Sequence, residues 1–157
     1  MPPKPKPATE RTLILPNKKA SFRYELLEKV EAGLVLVGCE VKSIRARLAS
    51  WADAYCVITN DEAWLFGLHI KSYPQAAMFR PDPDRKRKLL MHRKEIERWR
   101  VKLEKSGLTA VPTKLYFNGK RVKVELALAR GKKTHDKRES IKRKDHERQM
   151  QRQRSER

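Results

Sequence analysis

Hydrophobic and polar residues alternate along much of the chain from Phe22 to Ala129, and this period of two predicts mostly β-strands. Two pairs of such runs are separated by short turn signals. The pairs are Ala54–Thr59 with Glu62–Ile70, around Asn60-Asp61, and Lys114–Phe117 with Arg121–Ala129, around Asn118-Gly119. Because Asn, Asp and Gly tolerate the positive φ of tight turns, both pairs are predicted as β-hairpins.

Other segments give weaker or different signals. Thr12–Leu15 is predicted as a first strand, and Phe22–Val30 alternates like a strand before a turn predicted at Ala32-Gly33. Val41, Ile44 and Leu48 share one helical face, which predicts a short helix whose other faces are basic. A second helix is predicted over His92–Lys105, with Gly107 as its stop, after a Pro- and Arg-rich loop at Tyr73–Lys88.

About six strands and a few short helices in this length predict a small, closed or nearly closed antiparallel barrel. Barrels of the OB type commonly bind oligonucleotides, although a fold alone does not establish a function. The predicted organisation is a flexible basic N-terminus at residues 1–11, an OB-like barrel at residues 12–130 and a basic tail at residues 131–157.

The net charge of the chain indicates a polyanionic partner, which the barrel pattern alone does not. The chain has 38 Lys and Arg against 19 Asp and Glu, a formal net charge of +19. Such an excess repels itself in the free protein and is neutralised well by nucleic acid, where each phosphate contact releases counterions. A membrane surface is the alternative polyanion, but no basic stretch has the aromatic and Leu face of an interfacial helix.

The tail is the most biased part of the chain. Residues 130–157 contain 12 Lys or Arg and 5 Asp or Glu, and Ile141 and Met150 are their large aliphatic residues. This composition predicts disorder in the free protein, because little apolar surface can be buried. The segment is also rich in helix formers, so a helix is expected once a polyanion cancels its charge; a solvated solubility tail is the competing interpretation.

Targeting and cysteine signals are few. Residues 1–7 alternate Pro with Lys and predict no signal peptide, and no apolar run approaches a membrane span, so a cytoplasmic protein is expected. Cys39 and Cys56 are predicted as small core residues rather than a disulfide or a metal pair. No metal or other cofactor is expected.

Several motifs, in order from about residue 12 to the C-terminus, resemble one family, the SsrA-binding (SmpB) proteins. They are Asn17-Lys18-Lys19-Ala20, Glu31-Ala32-Gly33, Gly38-Cys39-Glu40-Val41-Lys42-Ser43, Arg87-Lys88-Leu89-Leu90, Leu115-Tyr116-Phe117, and the run from Val124 to Lys133 followed by Asp136-Lys137-Arg138. The resemblance implies an OB-type barrel that grips the tRNA-like domain of transfer-messenger RNA, and a tail that folds as a helix in the empty mRNA path of a stalled ribosome. It further implies an RNA-binding, non-catalytic and monomeric factor of trans-translation.

The resemblance assigns candidate residues to two partners. Those expected to meet transfer-messenger RNA are Asn17, Lys18, Lys19, Phe22, Tyr24, Glu31, Lys42, Arg45, Arg87, Lys88, Leu90 and Lys123. Those expected to meet the ribosome along the mRNA path are Lys132, Lys133, His135, Asp136, Lys137, Arg138, Lys142 and Arg143. Cations suit phosphates, aromatic rings suit unstacked bases, and Glu31 suits a hydrogen-bond donor on a base. Without the family, Glu31 would be an exposed strand-end charge and Leu90 a core residue, and both readings stay open.

The chain departs from the family pattern at three positions. Ser21 replaces an Arg and Phe22 replaces a His, so stacking is retained at residue 22 and the hydrogen bonds of a His are not. Arg47 replaces a Gly that usually follows Arg-Ala, which predicts a longer or more regular helix there.

Three other functions compete with this one. A generic single-stranded RNA- or tRNA-binding barrel explains the charge but not the motifs of the tail, and a permanent ribosomal protein would also have basic tails. A nuclease would need grouped carboxylates or a His paired with a nucleophile. The acids here are scattered among basic residues, and the four His residues lie in unrelated contexts.

Overall fold

A computed structural model describes residues 10–76, 78–105 and 107–155, with seven strands and four helices among them. The strands are β1 (Arg11–Pro16), β2 (Tyr24–Leu34), β3 (Ala49–Thr59), β4 (Glu62–Ile70), β5 (Arg87–Leu90), β6 (Thr109–Asn118) and β7 (Arg121–Gly131). The helices are α1 (Lys18–Arg23), α2 (Gly38–Arg45), α3 (Arg93–Lys105) and α4 (Thr134–Ser155). The prediction of a flexible N-terminus falls mostly on residues 1–9, outside the described residues.

The strands close into an antiparallel barrel, which confirms the predicted fold class. Hydrogen-bonded neighbours follow the order β6, β3, β4, β5, β2 and β7, and β7 pairs back onto β6. Strand β1 pairs antiparallel with one end of β6, with Leu15 opposite Leu115 and Leu13 opposite Tyr116. Closure removes the open sheet edges of these six strands, which would otherwise be free to pair with another chain.

Both predicted hairpins are present, and one turn is displaced by a residue. Asn60 (φ 50°) and Asp61 (φ 57°) form the β3–β4 turn as predicted. In the β6–β7 hairpin Asn118 pairs with Arg121, so the turn residues are Gly119 and Lys120 rather than Asn118 and Gly119. Only Gly119 of this pair has a positive φ, of 62°.

The core fills the barrel with inward residues from each strand. Leu65, Leu115 and Leu126 are fully buried, and α3 adds the indole of Trp99 to the same cluster. Both cysteines are free. Cys56 is a buried core residue, as predicted, and burial raises the pKa of its thiol to about 12. Cys39 is half-buried rather than part of the core.

The N-terminal half differs from the sequence prediction at two elements. Phe22 belongs to helix α1 rather than to a strand, because Asn17 caps that helix by accepting the Ala20 backbone N–H. Ala32 and Gly33 continue β2 instead of forming a turn, because they pair with Val124 and Lys123 of β7.

Arg47 ends a helix instead of lengthening it. Helix α2 stops at Arg45, and Arg47 has a φ of 58°, in the left-handed region that glycine adopts most easily. The Leu48 N–H bonds back to the Ser43 carbonyl across this reversal. The backbone therefore keeps a glycine-type helix end although the residue there is Arg.

The tail is helical in this structure, which differs from the disorder predicted for the free protein. Helix α4 spans Thr134–Ser155, and every described side chain from Ile141 to Arg154 is exposed. Its high content of good helix formers favours the helical backbone, whereas its basic surface contributes no apolar packing. Among the described residues, α4 packs against α1.

Candidate nucleic-acid interface

Glu31 is the acid at the centre of a basic surface. It lies on β2, where Tyr116 donates its hydroxyl hydrogen to Oε2, Arg11 Nη2 lies 3.6 Å from the same oxygen, and Lys123 Nζ lies 3.9 Å from Oε1. Burial, and then the hydrogen bond to Glu31, raise the pKa of Tyr116 above its ordinary value. The carboxylate is thus fixed in direction and remains 34% exposed, so Oε1 can accept a further hydrogen bond from a base.

Leu90, Gly33 and Lys123 form an apolar groove with a basic rim beside Glu31. Gly33 pairs with Leu90 on one side and with Lys123 on the other. They line a cavity of about 360 Å³ with Lys120 and Arg121 at its edge. Leu90 is 56% exposed, so it offers an apolar surface to the face of a base while the cations meet phosphates.

Two residues of α2 extend this surface. Lys42 and Arg45 are exposed, the neighbouring Val41 lines the same cavity, and the Arg45 guanidinium lies 5.6 Å from the centre of the Phe117 ring. The structure therefore brings five predicted contacts to one end of the barrel. We call this surface the Glu31 face; it consists of Glu31, Lys42, Arg45, Leu90 and Lys123.

Five of the remaining seven predicted contacts lie on a second surface, which we call the α1 face: Asn17, Lys18, Lys19, Phe22 and Tyr24. Tyr24 and Glu31 are separated by seven residues along β2, or ~23 Å for an extended strand. Lys18 and Lys19 are exposed, and Phe22 and Tyr24 are half-buried. Asn17 holds the fold together, since its Nδ2 donates to the Pro112 carbonyl at 2.8 Å and its Oδ1 caps α1.

Arg87 was predicted to contact RNA, and the structure corrects this. Its side chain is 0% exposed, and its guanidinium donates to Glu40 Oε1, the Leu68 carbonyl and the Pro83 carbonyl. In a strand, side chains alternate between the two faces, so Arg87 points inward and Lys88 outward. Lys88 is partly exposed, and its ammonium lies 2.6 Å from Glu62 Oε1.

Lys132 joins the tail to the α1 face. Its backbone N–H donates to the Arg23 carbonyl at 3.0 Å, and its ammonium donates to the Ser21 carbonyl at 3.0 Å and to Ser140 Oγ at 3.3 Å. Lys144 Nζ lies 5.8 Å from the centre of the Phe22 ring, a cation–π distance. Lys132 is therefore engaged within the protein in this structure.

The remaining tail candidates are more open. Lys133, Arg138, Lys142 and Arg143 are exposed, and Lys137 is half-buried. The side chains of His135 and Asp136 lie outside the described residues. Cations therefore point from several sides of one helix, an arrangement suited to a channel walled by phosphates.

Sequence reasoning missed Arg11 and Tyr116 as contacts of Glu31. Tyr116 lies within a recognised motif, but its contact with Glu31 depends on the fold. Strand β7 pairs with both β2 and β6, and this arrangement brings the Tyr116 hydroxyl to Glu31. Arg11 was assigned to the N-terminal segment, yet it begins β1, and its guanidinium lies 5.7 Å from the centre of the Tyr116 ring. No local signal marks either long-range contact.

Among the helices in the described part of the chain, none is long and apolar enough to cross a bilayer.

Comparison with known proteins identifies one family. The family model described as SmpB protein matches residues 14–156. An SsrA-binding protein of Oleidesulfovibrio alaskensis is 54% identical over 140 residues, covering 89% of this chain and 90% of the relative. One from Gloeothece citriformis is 52% identical over 141 residues, covering 89% and 91%.

A solved structure shares both sequence and fold with this chain. It is described as "tmRNA-SmpB: a journey to the center of the bacterial ribosome", and the matching chain is 43% identical with a TM-score of 0.66, covering 81% of this chain and 93% of that one. The family match spans the barrel and the tail together. This chain belongs to the SmpB family of SsrA-binding proteins.

Proposed function

We propose that this protein binds transfer-messenger RNA (SsrA) through its barrel and delivers it to stalled ribosomes, so that they are rescued and the incomplete proteins are tagged. One observation carries the proposal. The Glu31 face, with its fixed carboxylate and exposed Leu90 inside a basic rim, lies at the opposite end of β2 from the tail. The two surfaces suit two RNA partners held at the same time.

The Glu31 face takes the tRNA-like domain of the RNA in this proposal. Lys42, Arg45 and Lys123 meet phosphates, and Leu90 meets a base or ribose. Glu31 accepts a hydrogen bond from a base. Because its carboxylate repels phosphate, this contact selects base edges over the RNA backbone. A folded RNA is read here by shape and by a few directional contacts, because its paired bases are not accessible in a deep, narrow groove.

Helix α4 occupies the empty mRNA channel in this proposal. Its exposed cations meet ribosomal RNA phosphates, and its helical form in the structure lowers the ordering cost of binding. The protein works in the cytoplasm, where the ribosomes are.

Binding, rather than catalysis, is the proposed activity. The acids with lowered pKa values, Glu28, Glu40 and Glu125, all lie within ion-pair distance of Lys or Arg. Such carboxylates are committed to structure and are poorly placed as general acids or bases.

A truncation tests the division of labour. Ending the chain after Lys133 removes α4 and keeps the pairing of Tyr24 with Gly131 and the bond from the Lys132 N–H to the Arg23 carbonyl. We expect this variant to retain its preference for transfer-messenger RNA over an unrelated folded RNA and to lose tagging on stalled ribosomes. A second test variant is the full-length chain with Asp136, Lys137 and Arg138 changed to Ala, which should also lose tagging. Loss of the RNA preference in the truncated barrel would contradict the proposal.

A further inference from the structure

A second, smaller cavity lies between α1 and β3, outside the Glu31 face. It has a volume of about 180 Å³, and its lining includes Lys19, Arg23, Tyr24, Trp51, Asp53 and Tyr55. Pockets for drug-sized ligands generally exceed about 300 Å³. This cavity therefore suits one small group, of the size of a single nucleobase.

The position of Asp53 at this cavity is built into the barrel. The pairing of β3 with β4 is irregular between Trp51 and Tyr55, and Asp53 has a φ of 49° within that irregularity. Gly67 of β4 lies beneath it with a φ of 76°, and a Cβ atom there would be 2.5 Å from the Ala52 carbonyl oxygen. The bulge thus packs directly on glycine backbone and holds Asp53 at the cavity.

Aromatic rings form much of the wall. The Tyr55 ring stacks on Phe66 with centroids 5.2 Å apart and planes 6° from parallel. Tyr55 nevertheless remains 45% exposed, and Tyr24 and Trp51 are half-buried beside it. Exposed aromatic rings next to cations are the surface on which unstacked bases bind.

The charges at the rim indicate which edge of a base fits. Asp53 is 75% exposed and pairs with the Arg23 guanidinium at 2.7 Å, an exposed ion pair that contributes little stability and opens easily. A carboxylate only accepts hydrogen bonds and repels phosphate, so it selects a base edge rich in donors. Guanine presents two such donors side by side, N1–H and the N2 amino group, which match the two oxygens of one carboxylate. Lys19 and Arg23 suit the phosphates that flank that base.

We propose that this cavity binds one unstacked guanine of an RNA partner, with the Asp53 carboxylate accepting from N1–H and N2–H and the aromatic wall covering the base. The inference rests on the proposed function for the presence of an RNA partner. The source is ribosomal RNA or transfer-messenger RNA. The cavity shares α1 with the tail, which Lys132 fastens to the Ser21 carbonyl, so the RNA that meets the tail is the nearer source.

Chemical probing with kethoxal tests the inference, because this reagent modifies guanine at N1 and N2. Both transfer-messenger RNA in its binary complex and ribosomal RNA in the stalled complex are probed with the full-length protein, with Asp53→Asn and with Asp61→Asn. Asp61 is the matched control: it is exposed, has a φ of 57° and lies 3.9 Å from Arg100, but it does not line the cavity. We expect one guanine to be protected by the unchanged protein and by Asp61→Asn, and to become reactive with Asp53→Asn.

The change in RNA affinity is a second readout, because the proposal and a charge-only account predict changes of opposite sign. Asp53→Asn makes the surface more positive, so a charge-only account predicts tighter RNA binding. We expect weaker binding, by ~10-fold, from loss of a bidentate contact. Inosine at the protected position, which lacks the N2 amino group, should weaken binding to the unchanged protein and not to Asp53→Asn.

The outcomes separate this inference from the proposed function. Protection in one RNA identifies the source of the guanine. If no guanine in either RNA differs in reactivity between the unchanged protein and Asp53→Asn, the inference is overturned. The function stands in that case provided that the protein still prefers transfer-messenger RNA, and it falls with the inference if that preference is absent.

Discussion

The Tyr116 hydroxyl donates a hydrogen bond to Glu31 from across the intervening strand β7. The bond ties the acid of the Glu31 face to a nearly buried side chain of the barrel. Arg11 and Lys123 also lie near the Glu31 carboxylate, at 3.6 Å and 3.9 Å, and both contacts are longer than a hydrogen bond. Tyr116 therefore sets the direction of the carboxylate that is offered to RNA.

Replacing Tyr116 by Phe should weaken RNA binding through Glu31. We expect the free energy of unfolding to fall by about 1 kcal/mol for the lost hydrogen bond, and the affinity for the tRNA-like domain to fall with it. Calorimetric titration and urea unfolding measure the two effects. Tyr73→Phe is the matched control, since its hydroxyl donates to Gln75 in a loop, at 3.2 Å. Unchanged affinity in Tyr116→Phe would mean that Glu31 needs no orientation.

Glu40 should stabilise the fold only while it is charged. Burial by itself would raise the pKa of its carboxyl, but hydrogen bonds from Arg85 and the Val37 N–H, with the charge and hydrogen bond of Arg87, lower the pKa below the ordinary 4.5. A lowered pKa in the folded state gives stability that is present above pH 4.5 and is lost as the pH falls through the folded value.

Glu40→Gln leaves the Arg87 guanidinium buried without a counter-charge, and we expect a cost of about 3–5 kcal/mol near neutral pH. The difference from the unchanged protein should shrink as the pH falls below 4.5. Urea unfolding across this range measures it. Glu62→Gln is the control for an exposed pair with Lys88, for which we expect under about 1 kcal/mol. Equal effects of the two variants would show that the buried pair contributes little.

Arg87 also shows where sequence reasoning reached its limit. Arg87 was predicted to contact RNA through the motif Arg87-Lys88-Leu89-Leu90, although strand alternation turns its side chain inward. Its partner Glu40 is 47 positions earlier in the chain, at the start of α2. Strand alternation alone would have suggested that the Arg87 side chain points inward. The acid that compensates its buried charge comes into contact with it only in the folded barrel.

Elements whose structure depends on neighbouring residues in the chain were predicted from the sequence. The Asn60-Asp61 turn and the α3 helix follow from residue preference and period, and both were predicted from the sequence. The helical position of Phe22 was not predicted, because the Asn17 side chain that caps α1 is held by a hydrogen bond to the Pro112 carbonyl, 95 positions later in the chain. The division of the predicted contacts into the Glu31 face and the α1 face needed the register of β2 on β7.

Arg47→Gly should stabilise the protein. Residue 47 ends α2 in the left-handed region, where a non-glycine residue is strained by roughly 1 kcal/mol. The change also removes the bond from Arg47 Nη1 to the Ile14 carbonyl at 3.2 Å, an exposed contact of lesser value. We expect a higher midpoint of thermal unfolding. A lower midpoint would mean that the Ile14 contact outweighs the backbone strain.

Lys132→Met should affect the tail and spare the barrel. The change keeps the backbone bond to the Arg23 carbonyl and removes the ammonium that joins Ser21 to Ser140. We expect unchanged binding to the tRNA-like domain and reduced tagging, because α4 then loses its fixed direction. Lys133→Met, at an exposed neighbouring position, is the control for charge alone. Equal loss of tagging in both variants would assign the effect to charge.

Specific recognition of transfer-messenger RNA is the central claim, and a binding titration of the full-length protein tests it most directly. The titration compares this RNA with an unrelated folded RNA of equal length at physiological salt and at higher salt. We predict a preference for transfer-messenger RNA that persists at higher salt, because shape and base contacts are less screened than phosphate contacts. Equal binding to both RNAs that declines together with added salt would contradict the claim and leave the net charge of +19 as the whole explanation.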